Sequence, residues 1–340
     1  MEDSAIRIAD RLISFANTES AVQIFPHVRV DGDSLGSAAA MALVLRRLNI
    51  RSSVVMDEPI PERLTFLEIP EDLVIIYDPK RKDEYCKSQG IALAVDCSEG
   101  SRMGKSGQLY DCCSEPLVID HHISSGESKG FRYIDPLAAA AAELVLRIIH
   151  ILEDKTGKKL LDPLSSNCLM VGLQSDTGRF SYQNTTPETF RAASELLENG
   201  ANVYINAYNL FDLTNVERMR LIARAMSEAQ FFFGGRLALT VVTQDMIRDC
   251  RATDDASDGL ASNLRDIKGV VASFAVRETP DGEIRVNIRS YQPFDSAAFA
   301  SSFGGGGHQR AAGFTVTGKQ ADEVCALILE KAGEVLSDRS

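Results

Sequence analysis

Two histidines and an aspartate follow a short apolar segment in the middle of this chain. Residues 117–119 are Leu-Val-Ile, and Asp120, His121 and His122 come directly after them. Such an apolar run predicts a strand that is buried on both faces, as in a parallel sheet. Open α/β sheets place their sites at the carboxyl ends of strands, so these side chains are candidates for chemistry. Taken alone, the group is more simply explained as a capped strand end with surface histidines.

A second group of the same residue types follows a predicted strand at residues 21–25. Its members His27, Asp31 and Asp33 have the spacing H-x3-D-x-D, and Gly32 lets the backbone turn tightly between the two carboxylates. One imidazole and two carboxylates suit a hard to borderline divalent ion such as Mn2+. By itself this motif is weak, because Asp-Gly-Asp is more often a solvated turn.

Two further aspartates stand at the ends of apolar segments, Asp96 directly after Val95 and Asp176 before a Thr-Gly turn. In a parallel sheet such ends lie along one edge, so we expect these groups to converge. A cluster of carboxylates would repel itself, and two divalent cations would neutralise it. The candidate residues of this cluster are His27, Asp31, Asp33, Asp96, Asp120, His121, His122 and Asp176.

A run of four glycines near the end of the chain, residues 304–307, carries a separate candidate site. The exposed backbone N–H groups of such a run can receive a phosphate, and we expect the Ala-Ala pair that follows to begin a helix. Arg289, at the end of a predicted hairpin, could add a phosphate contact. The glycine run could instead be a flexible linker, and Arg289 could be an ordinary exposed arginine of a strand. The candidate substrate-binding residues are Arg289, Gly305, Gly306, Gly307, His308 and Arg310.

Strands that alternate with helices must position the first cluster. The predicted strands are residues 21–25, 53–56, 73–76, 91–95 and 117–119, and the predicted helices include 138–155 and 163–175. We expect Ser34 to cap the helix that follows the first strand. The alternation predicts a parallel sheet with helices on both faces.

The pattern changes in the second half of the chain. Residues 187–215 read as helices without strands and are interpreted as a helical connector between domains. Beyond them, two hairpins with glycine-containing turns predict a smaller α+β domain. We therefore expect a catalytic metal-binding domain at 1–186 and a substrate-binding domain at 216–340, with an active-site cleft between them.

Composition limits the classes of function. The 340 residues are 44% hydrophobic and 25% charged, as in ordinary globular proteins, and the formal net charge is -12. An acidic chain offers little phosphate neutralisation, which argues against binding long nucleic acid. The longest apolar stretch is too short and too charged to cross a membrane, so a cytoplasmic protein without a membrane partner is expected. Its seven cysteines lack a Cys-x-x-Cys pair and are expected to be reduced thiols.

Taken together, the motifs resemble those of the DHH phosphoesterases. The match rests on the first group at 27–33, on Asp96, on the Asp-His-His at 120–122 and on the Asp-Thr-Gly at 176–178. The glycine run and its His-x2-Ala-Ala-Gly continuation resemble the DHHA1 accessory domain. The likeness extends from about residue 6 to about residue 329, and the size is similar to stand-alone nano-RNase/pAp phosphatases.

The resemblance implies a two-metal site, with Mn2+ as the expected ion. His27 and Asp31 would hold one ion, while Asp33, His121 and Asp176 would hold the other, and Asp96 would bridge them. Asp120 would orient His121 or a neighbouring group, and His122 would contact the scissile phosphate or assist the leaving oxygen. The DHHA1-like residues, above all His308 and Arg289, would bind a terminal phosphate or nucleotide.

The expected substrates are short oligoribonucleotides, linear dinucleotides and 3'-phosphoadenosine 5'-phosphate (pAp). A phosphodiesterase for cyclic or linear dinucleotide second messengers is the nearest alternative. A family II inorganic pyrophosphatase is disfavoured by the glycine-rich loop, and an inactive nucleotide-binding regulator by the intact set of ligands. A long-strand exonuclease would need basic binding modules that this chain lacks. The sequence leaves the oligomeric state open, a homodimer included.

Overall fold

The computed structural model describes residues 2–122 and 130–336. The chain divides into two compact units, residues 1–213 and 214–340. The helices predicted as a connector therefore lie almost wholly within the first unit.

A six-stranded parallel sheet forms the centre of the first unit, as the alternating pattern predicts. Its strand order is β3-β2-β1-β4-β5-β6. This order reverses direction between β1 and β4, which creates the kind of switch point where open α/β sheets place their sites. The strands are β1 (Ala21–Phe25), β2 (Ser52–Met56), β3 (Val74–Ile76), β4 (Gln89–Val95), β5 (Leu117–Asp120) and β6 (Phe131–Ile134).

Helices cover both faces of this sheet. Alternate side chains of β4 explain why: Leu93 and Val95 pack into one apolar core with the helices on one face, while Ala92 and Ala94 pack into another core with the helices on the opposite face. The helices of the first unit are α1 (Glu2–Ile13), α2 (Gly32–Arg47), α3 (Lys82–Ser88), α4 (Gly107–Tyr110), α5 (Ala141–Thr156), α6 (Pro163–Asp176), α7 (Pro187–Glu198) and α8 (Val203–Ala207).

Two helix starts differ from the sequence-based expectation. The N-cap of α2 is Asp31, whose carboxylate accepts the Ser34 backbone N–H at 2.9 Å, so Ser34 is a residue of the first turn and not the cap. Helix α5 begins at Ala141, three residues later than expected. The helix propensity of the alanine run does not show where α5 begins. The first N–H groups of the helix bind a carboxylate more than a hundred residues away in sequence, as described below.

The second unit is a smaller α+β domain built on a mixed sheet. Its strands are ordered β11-β12-β10-β9-β8-β7, with β8 and β9 parallel and the other pairs antiparallel. They are β7 (Gln230–Phe232), β8 (Leu237–Val242), β9 (Ala272–Glu278), β10 (Ile284–Ser290), β11 (Gly306–His308) and β12 (Ala311–Val316). The helices are α9 (Val216–Ser227), α10 (Gln244–Cys250), α11 (Leu260–Arg265), α12 (Ser296–Ser301) and α13 (Ala321–Leu336).

The glycine run forms a hairpin, which corrects the expectation of a helix after it. Gly306 pairs with Gly313 and His308 with Ala311, so the Ala-Ala pair opens strand β12 and not a helix. The close strand approach needs glycine, because a Cβ at Gly305 would lie 2.2 Å from the Gly313 carbonyl oxygen. Small residues permit close packing both between paired strands and at the start of a helix. The glycine and alanine pattern alone therefore did not distinguish a hairpin from a helix start.

One cysteine pair departs from the expected reduced state. Cys86, at the end of α3, and Cys112, just after α4, form a disulfide with their Cα atoms 6.2 Å apart. Both helices pack on the same face of the first sheet, which brings together two cysteines 26 residues apart in sequence.

Among the described residues, no helix is both long and apolar enough to span a lipid bilayer.

Candidate metal centre

The carboxyl ends of β1, β4 and β5 meet at the switch point of the first sheet. His27 follows β1, Asp96 follows β4, and His121 follows β5. Since β4 lies between β1 and β5, Asp96 comes to rest between the two histidines. The predicted convergence of strand-end residues is thus present in the structure.

One group of possible ligands consists of His27, Asp31 and Asp96. The His27 Nε2 atom lies 3.6 Å from an Asp31 carboxylate oxygen and 3.3 Å from Asp96 Oδ2. The His27 backbone N–H donates to the hydroxyl of Ser34 at 3.1 Å, which ties the loop to the first turn of α2. This part of the centre is the more open one, because the Asp31 side chain is 42% exposed.

A second group consists of Asp33, His121 and Asp176. The His121 Nε2 atom lies 3.2 Å from Asp176 Oδ2 and 3.8 Å from Asp33 Oδ2. Asp33 is fully buried in the first turn of α2, and Asp176 is the last residue of α6. Burial, reinforced by the charges of Asp96 and Asp176, raises the pKa of Asp33 well above its ordinary value.

Asp96 links the two groups through its two carboxylate oxygens. Oδ2 faces His27, whereas Oδ1 lies 3.4 Å from Nε2 of His121. Its backbone has φ of +60°, a left-handed conformation that aspartate tolerates better than most residues. Burial alone would raise the pKa of this carboxyl, but the neighbouring imidazoles of His121, His122 and His27 hold it well below its ordinary value. Asp96 is therefore an ionised carboxylate shared by both groups.

The ring orientation of the two histidines suits metal binding through Nε2. Nδ1 of His27 donates to the Val28 carbonyl at 2.8 Å, and Nδ1 of His121 to the Ala138 carbonyl at 3.3 Å. A carbonyl can only accept, so Nδ1 carries a proton in each ring, and Nε2 is the ring atom that faces the cluster and would bind a metal after losing its own proton. Burial lowers the pKa of both rings, but the surrounding carboxylates, chiefly Asp31 and Asp176 respectively, raise it to about 10 for His27 and about 12 for His121.

The donor set fits divalent cations. Ligands about 2.0–2.2 Å from an ion lie about 3 Å or slightly more from one another, and the distances between His Nε2 and the carboxylates are of that size. Asp96 Oδ1 and His121 Nε2 are buried and take part in no hydrogen bond within the described ranges. The carboxylate excess that raises the imidazole pKa values would equally attract a metal cation. Oxygen and imidazole ligands in this ratio suit a hard to borderline ion.

Asp120 acts on His122 and not on His121. Its Oδ1 atom accepts the His122 backbone N–H at 3.0 Å and the ring Nδ1 at 2.9 Å. His122 Nδ1 also lies 3.3 Å from Asp96 Oδ1, and the three residues Asp96, His121 and His122 form a further group close enough to share an ion. The sequence motif leaves open which imidazole the aspartate would orient, and the contact with His122 supplies the missing detail.

A run of five alanines, Ala138–Ala142, frames the second ligand group, and sequence reasoning missed it. The Asp33 carboxylate accepts the N–H groups of Ala141 at 2.6 Å and Ala142 at 2.9 Å. The carbonyl of Ala138 accepts a hydrogen bond from Nδ1 of His121, and that of Ala139 accepts one from the side-chain amide of Asn184. All five alanines are buried. The only sequence signal was the Asp-Pro pair before the run, which indicates a helix start but not its partner.

Close packing of α2 against α6 brings Asp33 towards Asp176, and glycines permit it. A Cβ at Gly36 would lie 2.2 Å from the Cys168 carbonyl oxygen, and one at Gly172 would lie 2.6 Å from Asp33 Oδ1. Neither distance is sterically allowed, so any side chain at these positions would push the helices apart. These two glycines are therefore structural requirements of the second ligand group.

The predicted substrate-binding residues share one face of the second sheet. Arg289 lies directly opposite Ala311, and Ala311 lies opposite His308, so the three residues form a row across β10, β12 and β11. Directly opposed residues point to the same face, so Arg289 and His308 lie on either side of the small side chain of Ala311. Gly306, Gly307 and His308 are exposed in β11, whereas the Arg310 guanidinium donates to the Phe294 carbonyl at 2.7 Å.

Comparisons with known proteins agree with the two-unit organisation. The profile of the DHH family, N-terminal domain, matches residues 21–173, and that of the DHHA1 domain matches residues 238–334. A bifunctional oligoribonuclease and PAP phosphatase NrnA from Thermus thermophilus is 30% identical over 320 residues, which cover 94% of this chain and 91% of that protein. The resemblance found in the motifs is thus confirmed along nearly the whole chain.

Solved structures share the fold. An exopolyphosphatase-related protein from Bacteroides fragilis superposes with a TM-score of 0.88 at 22% identity, covering 99% of this chain and 98% of that one. A structure of the exonuclease RecJ bound to manganese gives a TM-score of 0.56 at 15% identity, with 99% and 95% covered. With both domains present in order, the same fold and a full-length relative at 30% identity, this chain belongs to the DHH family of proteins that carry a C-terminal DHHA1 domain.

Proposed function

We propose that this protein is a Mn2+-dependent phosphoesterase that hydrolyses short oligoribonucleotides and linear dinucleotides to mononucleotides, and pAp to AMP. The protein is a hydrolase of phosphoester bonds, as its family membership indicates. The observation that carries the finer proposal is the placement of Asp96, whose two oxygens face two separate ligand groups. The substrates follow the name of the Thermus thermophilus relative.

The proposed ligand assignment uses two divalent ions. His27 and Asp31 would hold one ion, and Asp33, His121 and Asp176 the other, with Asp96 shared between them. Manganese is the proposed ion because the donor set is hard to borderline and because RecJ, of related fold, is described as bound to manganese. When bound, two such ions lower the pKa of a shared water and stabilise the attacking and leaving oxygens of an in-line displacement.

His122 is proposed to act on the substrate phosphate. Asp120 holds its Nδ1 through a 2.9 Å hydrogen bond, and Nε2 is the proposed donor to a phosphate oxygen or to the leaving oxygen. The same carboxylate also fixes the His122 backbone N–H, which restricts both the main chain and the ring. His122 therefore enters the reaction with a set orientation.

The second unit is proposed to bind a phosphate of the substrate. Arg289 and His308 offer charge-assisted hydrogen bonds from one face of the sheet, and the exposed glycines of β11 allow close approach. Arg310 is a further candidate for substrate contact; its guanidinium donates to the Phe294 carbonyl, and that of Arg289 to the Ile288 carbonyl.

A substrate panel with Mn2+ tests the proposal. The panel contains pAp, linear dinucleotides, cyclic dinucleotides, a five-nucleotide RNA and a long RNA, assayed by initial rates at equal concentration. We expect kcat/KM to be highest for linear dinucleotides and the short RNA. A clear preference for cyclic dinucleotides would favour the second-messenger alternative, and no hydrolysis of any member would reject the proposal.

A further inference from the structure

Asn184 joins two segments that carry the second ligand group. Its side-chain amide nitrogen donates to the carbonyl of Asp176 at 3.1 Å and to the carbonyl of Ala139 at 3.0 Å. One –NH2 group has two hydrogens, so both bonds are made at once. Asp176 is itself a member of the ligand group, and Ala139 lies in the alanine run that frames it.

The alanine run contacts the remaining two members of the group through its backbone. Ala138 accepts from His121, while the N–H groups of Ala141 and Ala142 bind Asp33. The bond from Asn184 to Ala139 therefore connects Asp176 to the same short segment that holds the other two ligands. With the Asn184 bonds, all three possible ligands are connected by hydrogen bonds to the backbone of the alanine run.

The chain between Asp176 and Asn184 follows a strained path that returns the side chain to the helix end. Gly178, Arg179 and Phe180 have φ of +52°, +60° and +64°, and the last two are not glycine. Non-glycine residues in this region store strain and persist where surrounding contacts impose it. The carbonyl of Asp176 belongs to the last turn of α6, which lacks intrahelical partners, so it is available to Asn184.

We propose that Asn184 is a positioning residue that fixes Asp176 against His121 and Asp33 and thereby sets the Mn2+ affinity of the second ligand group. The inference rests on the two-metal centre of the proposed function. Partners outside the ligand sphere typically change metal affinity by about 10- to 100-fold when removed. Asn184→Ala removes both bonds, while Asn184→Asp keeps the shape but places a carboxylate against two carbonyl oxygens.

The test is Mn2+ binding to the intact protein, measured by electron paramagnetic resonance and by metal content after dialysis. We expect wild type to show two classes of site. Asn184→Ala should weaken one class about tenfold and Asn184→Asp still more, while the other class and the melting temperature of the metal-free protein stay unchanged. Asn199→Ala is the matched control, because its amide also donates to a helix-end carbonyl, that of Glu195 at 2.9 Å, but contacts no ligand.

Two results would overturn the inference. Unchanged affinities in both Asn184 variants would remove its role, and an equal loss in both classes together with a lower melting temperature would make it a general structural residue. The proposed function fails in a different way, because a wild-type protein that binds Mn2+ in two classes but hydrolyses no phosphoester would reject that function and leave the positioning role of Asn184 intact.

Discussion

The carboxylate of Asp33 accepts the backbone N–H of Ala141 at 2.6 Å and so closes the first turn of α5. The same side chain belongs to the second group of possible ligands in the proposed metal centre. Positive charge at a helix N-terminus partly offsets a buried carboxylate, which helps to place Asp33 beside two other acidic residues. The start of α5 and the proposed metal centre therefore share one side chain.

This double role predicts different outcomes for two substitutions of Asp33. Asn keeps an acceptor for only one of the two helix N–H groups, which bind different oxygens of Asp33, and it removes the charge. Asp33→Asn should therefore lose Mn2+ from one site, while the metal-free protein loses less stability than Asp33→Ala does. Burial and the repulsion from Asp96 and Asp176 raise the pKa of Asp33, and removing the charge relieves that repulsion. Asp33→Ala should lose the metal and also about 1 kcal/mol of unfolding free energy, the usual cost of a lost helix cap.

Urea unfolding in EDTA and metal analysis of both variants provide the measurement. Equal stabilities of Asp33→Ala and wild type in EDTA would show that the contacts with Ala141 and Ala142 do not stabilise α5. Full Mn2+ content in Asp33→Asn would exclude Asp33 as a ligand.

Asp96 should be the most damaging ligand to replace. Asn is well tolerated at a left-handed φ, so Asp96→Asn should fold normally yet bind both Mn2+ ions weakly and hydrolyse almost no substrate. Asp31→Asn is the comparison, because asparagine still caps α2 and Asp31 reaches a single ligand group. We expect it to weaken one ion and to retain more activity. Wild-type turnover of folded Asp96→Asn at saturating Mn2+ would reject the shared carboxylate.

Replacing His308 should weaken the reaction with substrate and leave Mn2+ binding unchanged. His308→Ala is expected to lower kcat/KM for nucleotide substrates roughly 10- to 150-fold, which corresponds to about 1.5–3 kcal/mol for a hydrogen bond to a charged group. The Mn2+ content should stay at the wild-type level, because His308 is an exposed residue of β11 in the second unit. His150→Ala is the control, since that histidine pairs with Glu195 on α7. Loss of a Mn2+ ion from His308→Ala would instead make it a ligand.

Much of the first unit was predictable, because its information is local. Apolar strands that end in Asp or His, such as β4 with Asp96, reveal both the parallel sheet and the edge where the side chains converge. The contacts that refine the site are not local. The capping of α5 by Asp33 and the bond from Asn184 to Ala139 join residues far apart in sequence, and alanine and asparagine have many ordinary uses. Strand β6 also escaped notice, since its sequence, Phe-Arg-Tyr-Ile, mixes charge with apolar residues.

The start of α6 should contribute to stability in a pH-dependent way. Burial alone would raise the pKa of Asp162, but hydrogen bonds from Ser165 and the neighbouring Arg47 lower it below its ordinary value. A carboxyl whose pKa is depressed by folding stabilises the folded state above its unfolded pKa of about 3.9, and this contribution is lost as the pH falls through the lower folded value.

Asp162→Asn isolates the charge, because asparagine remains a good N-cap. In EDTA, the unfolding free energy of wild type should exceed that of Asp162→Asn at pH 6, and the difference should shrink towards pH 3. A difference that stays constant between these pH values would show that packing, and not the charge, distinguishes the two proteins.

Substrate length should limit the reaction. The formal net charge of -12 gives a long strand little counterion release outside the metal centre, whereas proteins that follow many phosphates are basic along the path. We expect kcat/KM to fall as the RNA grows from about two to beyond about ten nucleotides. For comparison, a dedicated single-strand binding module covers roughly 4–16 nucleotides. Added salt should change dinucleotide cleavage only slightly, because few ion pairs form away from the metals. Initial rates against RNA length, at fixed Mn2+ and identical end groups, provide the measurement, and the Asp96→Asn variant controls for contaminating nucleases. Equal or rising efficiency on a long strand would contradict the short-substrate proposal and indicate a processive exonuclease.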